Sequence, residues 1–446
     1  MIRFALAMSP FRTIRVGIAG LGTVGAETVR ILRDAEPDFR RRLGATLELA
    51  AVCDRRIEQK AAELGLARSV RRYRSAEKFA ADPLLDVVVE TIGGLDEARR
   101  LVLESLKRGR HVITANKRLL AHHWGELFDA ARTAKRRLYF EASVAGGVPI
   151  VETLRRSLAG NRIRRVLGIL NGTTNFILTR MARTGEPLET VLADAQRRGL
   201  AEKDPSLDLS GADAAHKVAV LASLVTGHWV RPQAVAYAGI TGVAPEDMEY
   251  ATSSLGRTVR LIGTVDIDWS AKPPAVCCHV YPTLVPLDHP LAGVQGEYNA
   301  VLVQASAAGD LMFYGKGAGA GPAASAVVGD LFLLATEMMA GPGQDAGVVW
   351  RREGEMRVTD VGESVSAYYL RLDVRDRPGA LSKITGALAR RRISISRIHQ
   401  QTSDGKSSVP VLLTTHPARQ RDFLSALSQI RRLPEVAPRH AWFRML

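Results

Sequence analysis

Residues 14–25 read IRVGIAGLGTVG: a short strand-like run, then a turn with glycines at 20, 22 and 25. The run at 14–19 has the pattern of a buried strand, and a helical pattern follows from about residue 25 to 35. In a strand–turn–helix of this kind each glycine has its own task. Gly20 permits the tight turn, Gly22 lets the backbone approach a pyrophosphate, and Gly25 packs the helix against the strand. The helix that opens there presents unpaired N–H groups and a positive dipole end to the anion. Leu21, Thr23 and Val24 complete the loop, so all of residues 20–25 are candidate nucleotide contacts. The bare glycine pattern is common; a strand before it and a helix after it make it specific.

Outward from this motif, strands at 47–53, 86–91 and 110–114 alternate with helical patterns, as in a parallel α/β sheet. Asp54 ends the second of these strands and is the natural acceptor for a ribose hydroxyl. It lies further on than the usual spacing of roughly 20 residues, and an insertion at 37–44 accounts for the distance. Arg55 follows directly and could meet a 2′-phosphate instead, so the residues leave both NAD and NADP open. Thr91 and Lys117 lie at or just beyond the carboxyl ends of later strands, where open α/β sheets bind ligands. Lysine is scarce in this chain beside arginine, which adds weight to Lys117.

The middle of the chain mixes a strand at 163–170 with helices at 188–198 and 211–225. A Gly-rich stretch at 315–321 (GKGAGAG) then precedes an apolar helix at 325–339. Residues 201–217 (AEKDPSLDLSGADAAHK) place Glu202, Asp204 and Asp208 in a loop before a helix. On that helix Asp213 and Lys217 are four apart and share one face. Such a pair is ordinarily a solvated surface feature, but this helix is otherwise rich in Ala, Val and Leu.

The 446 residues suggest about three domains. Boundaries fall at 1–145 for a nucleotide-binding domain, 146–345 for a second domain, 346–365 for a Gly/Pro linker and 366–446 for a compact end segment. That last segment reads strand (368–374), helix (379–390), strand (393–400), strand (408–415), helix (420–431), with the final residues as a further strand. Hydrophobic residues at 46% and charged residues at 24% are ordinary for a globular protein. The net charge of +15 is spread along the chain as dispersed arginines with few aromatics between them, which favours a solvated surface over a nucleic-acid footprint. Three cysteines, Cys53, Cys277 and Cys278, have no zinc or disulfide spacing and point to a reducing cytoplasm; the adjacent pair falls on alternate faces of one strand. No apolar run reaches the roughly 18 residues of a membrane span, and the N-terminal apolar stretch is too short for a signal peptide. Met8 is an alternative start.

The blocks GLGTVG, ITANK, YFEASVAGGVPI, GILNGTTNFILTRM, AEKDPSLDLSGADAAHK, YNAVLV and GKGAGAGPAASAVVGD occur in the order found in homoserine dehydrogenases. The resemblance spans essentially the whole chain. It implies a Rossmann-type domain, an α+β catalytic and dimerisation domain to which the 315–321 segment returns near the cofactor, and reversible NAD(P)-dependent reduction of aspartate semialdehyde to homoserine. By the same resemblance Lys217 is the proton donor, Glu202 and Asp213 bind the substrate, Lys117 lies near cofactor and substrate, and Gly319 lies near the nicotinamide. Glu141, Val144, Gly146 and Val148 match positions whose backbone carbonyls hold a sodium ion. Two positions depart from the family. Cys53 stands where Arg is frequent, leaving NAD against NADP open, and Ala324 stands where Thr is usual. Residues 368–400 resemble the opening of an ACT domain (βαββαβ), with Asp376–Gly379 as its ligand loop; this implies threonine as effector and pairing into a dimer or tetramer.

Overall fold

The computed structural model describes residues 12–340, 354–400 and 408–446. Both candidate start methionines and the Gly/Pro stretch at 341–353 lie outside them. The described residues divide into two compact units, the first built from 12–160, 223–229 and 316–340 and the second from 161–222, 230–315, 354–400 and 408–446.

In the first unit six strands form one sheet: β1 (Arg12–Ala19), β2 (Ala45–Cys53), β3 (Arg71–Tyr73), β4 (Val87–Glu90), β5 (His111–Thr114) and β6 (Leu138–Tyr139). All neighbours are parallel, in the order β3-β2-β1-β4-β5-β6. This is the doubly wound order, and it opens a crevice at the carboxyl ends of β1 and β4, where the winding reverses. Every residue of β4 is buried, as a strand covered on both faces must be.

The insertion read at 37–44 is a helix, Glu36–Leu43. Phe39 anchors it in the core, and Gly44 ends it in the left-handed conformation at φ +62. The long spacing to Asp54 is therefore regular structure. The apolar helix is longer than its sequence pattern suggested, running Ala320–Ala340. It is long and apolar enough to cross a membrane, which corrects the statement that no such stretch exists. Its Val327, Val328, Leu331 and Leu334 nevertheless sit in one cluster with Ile14, Val16 and Val87, the place a helix of this composition takes in an α/β core. Its buried Asp330 accepts the backbone N–H of Glu141 at 2.9 Å.

In the second unit the strands are β7 (Ile163–Ile169), β8 (Ala236–Tyr237), β9 (Arg257–Asp268), β10 (Ala275–Pro286), β11 (Tyr298–Ala305) and β12 (Gly309–Lys316). They continue with β13 (Arg357–Val358), β14 (Val365–Val374), β15 (Ile395–Gln400), β16 (Val409–Thr415), β17 (Ala418–Arg419) and β18 (Val436–Met445). The main path runs β12-β11-β7-β9-β10-β18-β14-β16-β15. The C-terminal segment is the expected βαββαβ, with helices Ala380–Arg390 and Gln420–Ile430. It is not hung on a tether, because β18 pairs parallel with β10 at Thr283↔Arg444 and Leu284↔Met445. A buried polar cluster reinforces the junction. Asp247, in helix Pro245–Leu255, accepts from Tyr369 Oη at 2.7 Å, Arg371 Nε at 2.8 Å and Ala244 N at 2.8 Å. Cys277 and Cys278 lie on opposite faces of β10, and all three cysteines are unpaired.

His111, on β5, has its Nδ1 facing the backbone N–H of Arg137 at 3.1 Å. Burial, with Arg136 and Arg137 nearby, pushes its pKa from 6.5 down to about 4. The folded state thus holds the neutral ring, and acid favours the unfolded chain, which binds a proton near pH 6.5. We expect the wild type to lose on the order of 3 kcal/mol of stability from this residue as pH falls from 6.5 to about 4. His111→Asn, which keeps an acceptor for Arg137, should lose correspondingly less; equal acid sensitivity in urea titrations of both proteins would contradict the assignment.

Candidate active site

The nucleotide loop of the first unit has the geometry its glycines demand. Gly20 sits at φ +90, and a Cβ on it would lie 2.5 Å from the Thr91 carbonyl oxygen. A Cβ on Gly25 would fall 1.8 Å from the Gly20 carbonyl oxygen. At Gly22 a Cβ would meet nothing within 4 Å, so its requirement is not internal packing. The helix Thr23–Asp34 starts there with no side-chain cap and no acid in its first turn, leaving its N-terminus unopposed for an anion.

Two candidate cofactor residues turn out to build this loop. Asp54 accepts the Leu21 N–H at 2.9 Å through Oδ2 and the Arg56 N–H at 2.8 Å through Oδ1. The Thr91 hydroxyl lies 2.7 Å from the Gly20 carbonyl oxygen and 3.0 Å from that of Ala19. A carboxylate has about four acceptor positions, so Asp54 retains capacity for a ribose hydroxyl. Arg55 makes an exposed pair with Glu97 at 2.7 Å, a contact of little energetic worth that a phosphate can displace. Beside them Cys53 is buried, and its thiol is pushed up to about 12, chiefly by desolvation.

Lys117 is the first residue of helix Lys117–Thr133 and is half-buried. Asn116 caps that helix by accepting the Leu119 N–H at 3.0 Å, and donates to the Gly94 carbonyl at 2.8 Å. Sequence reasoning missed Glu90. Fully buried at the end of β4, it accepts from the Thr114 hydroxyl at 2.5 Å, Ile92 N at 2.9 Å and Gly93 N at 3.0 Å. Burial pushes its carboxyl upward. It ties the tips of β4 and β5 together; an acid closing the apolar run VVVE was the available signal.

The carbonyl loop begins at the turn Glu141–Ser143. The Glu141 carboxylate is occupied by the N–H groups of Val151 at 2.9 Å and Glu152 at 2.8 Å. Its side chain therefore serves the backbone, and burial pushes its carboxyl upward. After Val144 the chain passes through Ala145 at φ +55 and Gly146 at φ +50 before Val148. Gly146 is obligatory, since a Cβ would stand 2.6 Å from the Gly317 carbonyl oxygen. The adjacent Gly147 N–H bonds the Lys316 carbonyl at 3.0 Å, so the Gly-rich stretch is fastened to this loop. Gly319 follows at φ +109, exposed, just before helix Ala320–Ala340.

The second unit gathers the other candidates. Lys217, on helix Ala212–Thr226, is not a solvated surface residue: it is 8% exposed and Asp213 is 9% exposed. Its Nζ donates to Asp213 Oδ2 at 2.8 Å and to the Leu170 carbonyl at 2.6 Å. Asn171, unremarked as a site residue in the sequence, donates through Nδ2 to Asp208 Oδ1 at 2.7 Å and Asp213 Oδ2 at 3.0 Å. Glu202 is not drawn into this cluster. It stands exposed in its loop, and its carbonyl accepts from Gln196 Nε2 at 3.0 Å.

A nucleotide loop on a doubly wound sheet and a buried lysine–carboxylate cluster suit hydride transfer at a carbonyl. The comparisons with known proteins narrow this further. The family model described as homoserine dehydrogenase matches residues 149–332, and that of the homoserine dehydrogenase NAD binding domain matches residues 20–141. An ACT domain model matches residues 368–435. The homoserine dehydrogenase of Mycobacterium tuberculosis is 41% identical over 391 residues, covering 87% of each chain. The crystal structure of a homoserine dehydrogenase from Thiobacillus denitrificans superimposes with a TM-score of 0.90 at 36% identity, covering 98% of each chain. A hyperthermophilic archaeal homoserine dehydrogenase in complex with NADPH gives a TM-score of 0.62 at 26% identity, covering 73% of this chain and 98% of that one. The molecule is thus an oxidoreductase with a nicotinamide-nucleotide domain and a C-terminal ACT domain. The chain belongs to the homoserine dehydrogenase family.

The glycine geometry separates two substitutions. Gly25→Ala forces a backbone clash and should destabilise the fold by about 1–3 kcal/mol. Gly22→Ala has room in the protein itself, so its Tm should hold while nicotinamide nucleotide Kd rises on the order of tenfold. Unchanged nucleotide affinity in Gly22→Ala would remove Gly22 from the binding surface.

Proposed function

We propose that this homoserine dehydrogenase reduces aspartate semialdehyde with Lys217 as the proton donor, and that the geometry carrying this reading is the ammonium buried against Asp213 and Leu170. When bound, the nicotinamide supplies the hydride in reduction and accepts it in oxidation. As negative charge grows on the aldehyde oxygen, a cation fixed beside it stabilises that charge and delivers the proton. Lys217 suits the task, because Leu170 and Asp213 take two of its three protons and set the direction of the third. In the reverse direction the amine accepts the alcohol proton. Glu202, exposed and anionic, is assigned to the substrate ammonium, and Lys117 to the substrate carboxylate or the cofactor.

The first-turn N–H groups after Gly22, with Leu21, Thr23, Val24, Asp54, Arg55 and Gly319, are assigned to the dinucleotide. The archaeal relative's NADPH supports the phosphorylated cofactor, and Arg55 offers a charge for it. Asp54 supports NAD equally, so both are tested. The backbone carbonyls of Glu141, Val144, Gly146 and Val148 are assigned to an alkali cation such as sodium, a hard ion that carbonyl oxygens suit. With its carboxylate oxygens taken by Val151 and Glu152, Glu141 would contribute only its carbonyl. For the C-terminal module we infer threonine as a feedback effector of threonine, methionine and isoleucine synthesis, assembly into a dimer or tetramer, and a cytoplasmic setting suited to three unpaired thiols. The division at residues 145, 345 and 365 is retained as the functional one.

The test is spectrophotometric oxidation of homoserine with NAD⁺ and NADP⁺ in turn. Turnover with at least one of them is expected, and Lys217→Ala should lower kcat by roughly 10²–10⁴-fold with nucleotide affinity unchanged. Near-normal kcat in folded Lys217→Ala would sink the proton-donor role.

A further inference from the structure

Asn171 occupies the point where β7 gives way to helix Gly172–Thr184, and it is 6% exposed. Its side-chain oxygen caps the helix, accepting the Thr174 N–H at 2.9 Å, with the Thr174 hydroxyl also at 2.9 Å. Both protons of its amide nitrogen go to carboxylates, one to Asp208 Oδ1 at 2.7 Å and one to Asp213 Oδ2 at 3.0 Å. The cap fixes which way the amide faces. With the oxygen committed to the helix N-terminus, the nitrogen must face the two acids. The Asp213 oxygen that it holds is the one that accepts Lys217 Nζ at 2.8 Å. The residue before it, Leu170, supplies the carbonyl that takes another Lys217 proton at 2.6 Å.

We infer that Asn171 is a positioning residue of the reaction: it holds Asp208 and Asp213 side by side and, through Asp213, aims the Lys217 ammonium. The inference rests on the proton-donor reading of Lys217. Two carboxylates converging on one site repel, and a neutral double donor between them lowers that cost without adding charge. The same amide thereby couples the helix cap to the direction of the lysine's remaining proton. A cap alone would need only an oxygen, so the cap does not explain the nitrogen's two contacts.

Serine and aspartate at 171 separate the two roles, because both cap helices well but neither donates twice. Nucleotide Kd should therefore hold in Asn171→Ser and Asn171→Asp, while Tm falls in both as the two acids lose their shared donor and further in Asn171→Asp, so activity is read well below each variant's Tm. Their kcat for homoserine oxidation should fall on the order of tenfold or more, further in Asn171→Asp, where a third carboxylate joins the pair. The solvent deuterium isotope effect on kcat should rise in both, since a misaimed lysine makes proton transfer limiting; a purely structural defect would leave it unmoved. If Lys217→Ala is inactive while Asn171→Ser keeps kcat within about twofold, the positioning role is wrong and the lysine's role stands. If folded Lys217→Ala is itself active, the proton-donor reading fails and this inference fails with it. A folded variant that loses kcat without the rise in the isotope effect reduces Asn171 to a helix cap and overturns the proposal.

Discussion

A lysine ammonium 8% exposed persists in a folded protein only where its protons find acceptors and its charge a counter-charge. Here those needs dictate a good deal of the second unit. The end of β7 must bring the Leu170 carbonyl to the lysine, and the helix Ala212–Thr226 must place Asp213 one turn away on the same face. Gly211, at φ +86, starts that helix in close contact with the chain at Ala238, where a Cβ would already be 3.2 Å from the carbonyl oxygen. Gly263 leaves room for Val218 on the lysine's own helix, since a Cβ there would stand 2.6 Å from that side chain. Both glycines thus serve the close packing of the lysine's helix against the neighbouring chain.

The first unit obeys a different constraint, the close approach of backbone to backbone. Gly20, Gly25 and Thr91 lock two loops at the sheet's switch point so tightly that a single methylene would not fit. Gly146 and the Gly317 carbonyl do the same at the second loop. Rigid loops at strand ends cost a fold its packing freedom but keep N–H groups and carbonyls aimed before any ligand arrives. Asp54 and Thr91 show how economical the arrangement is, since residues at ligand-facing strand ends also brace the loop.

Much of this was legible in the chain. The strands at 14–19, 47–53, 86–91 and 110–114 followed from apolar periodicity and from glycine placement, because parallel strands buried on both faces leave short apolar runs that are hard to mistake. Helix limits were less legible. Residues 320–324 looked like loop because they are Gly, Ala and Pro, yet Pro322 lies in the first turn, where its missing N–H costs nothing. Residues 37–44 looked like an insertion because Phe39 alone commits that helix to the core. The site was readable as residue types but not as partners. Asp213 and Lys217 stood out by spacing, whereas Asn171 could not, since its partners lie 37 and 42 residues away.

The C-terminal module shows the same limit on a larger scale. Its βαββαβ order is local and was visible in the sequence, but its attachment is not. β18 meets β10 across more than 150 residues of chain, through a register of only two pairs. The sequence signal for that contact is diffuse, yet the buried charge beside it is specific. Asp247 and Arg371, 0% and 2% exposed, join a helix of the catalytic segment to the first long strand of the module. A pair buried that deeply is strongly unfavourable to break once formed, because either partner left alone keeps an uncompensated charge in the interior. Module and catalytic sheet consequently cannot part here without exposing that cost, so the module is held to the catalytic sheet by strand pairing and a buried ion pair together.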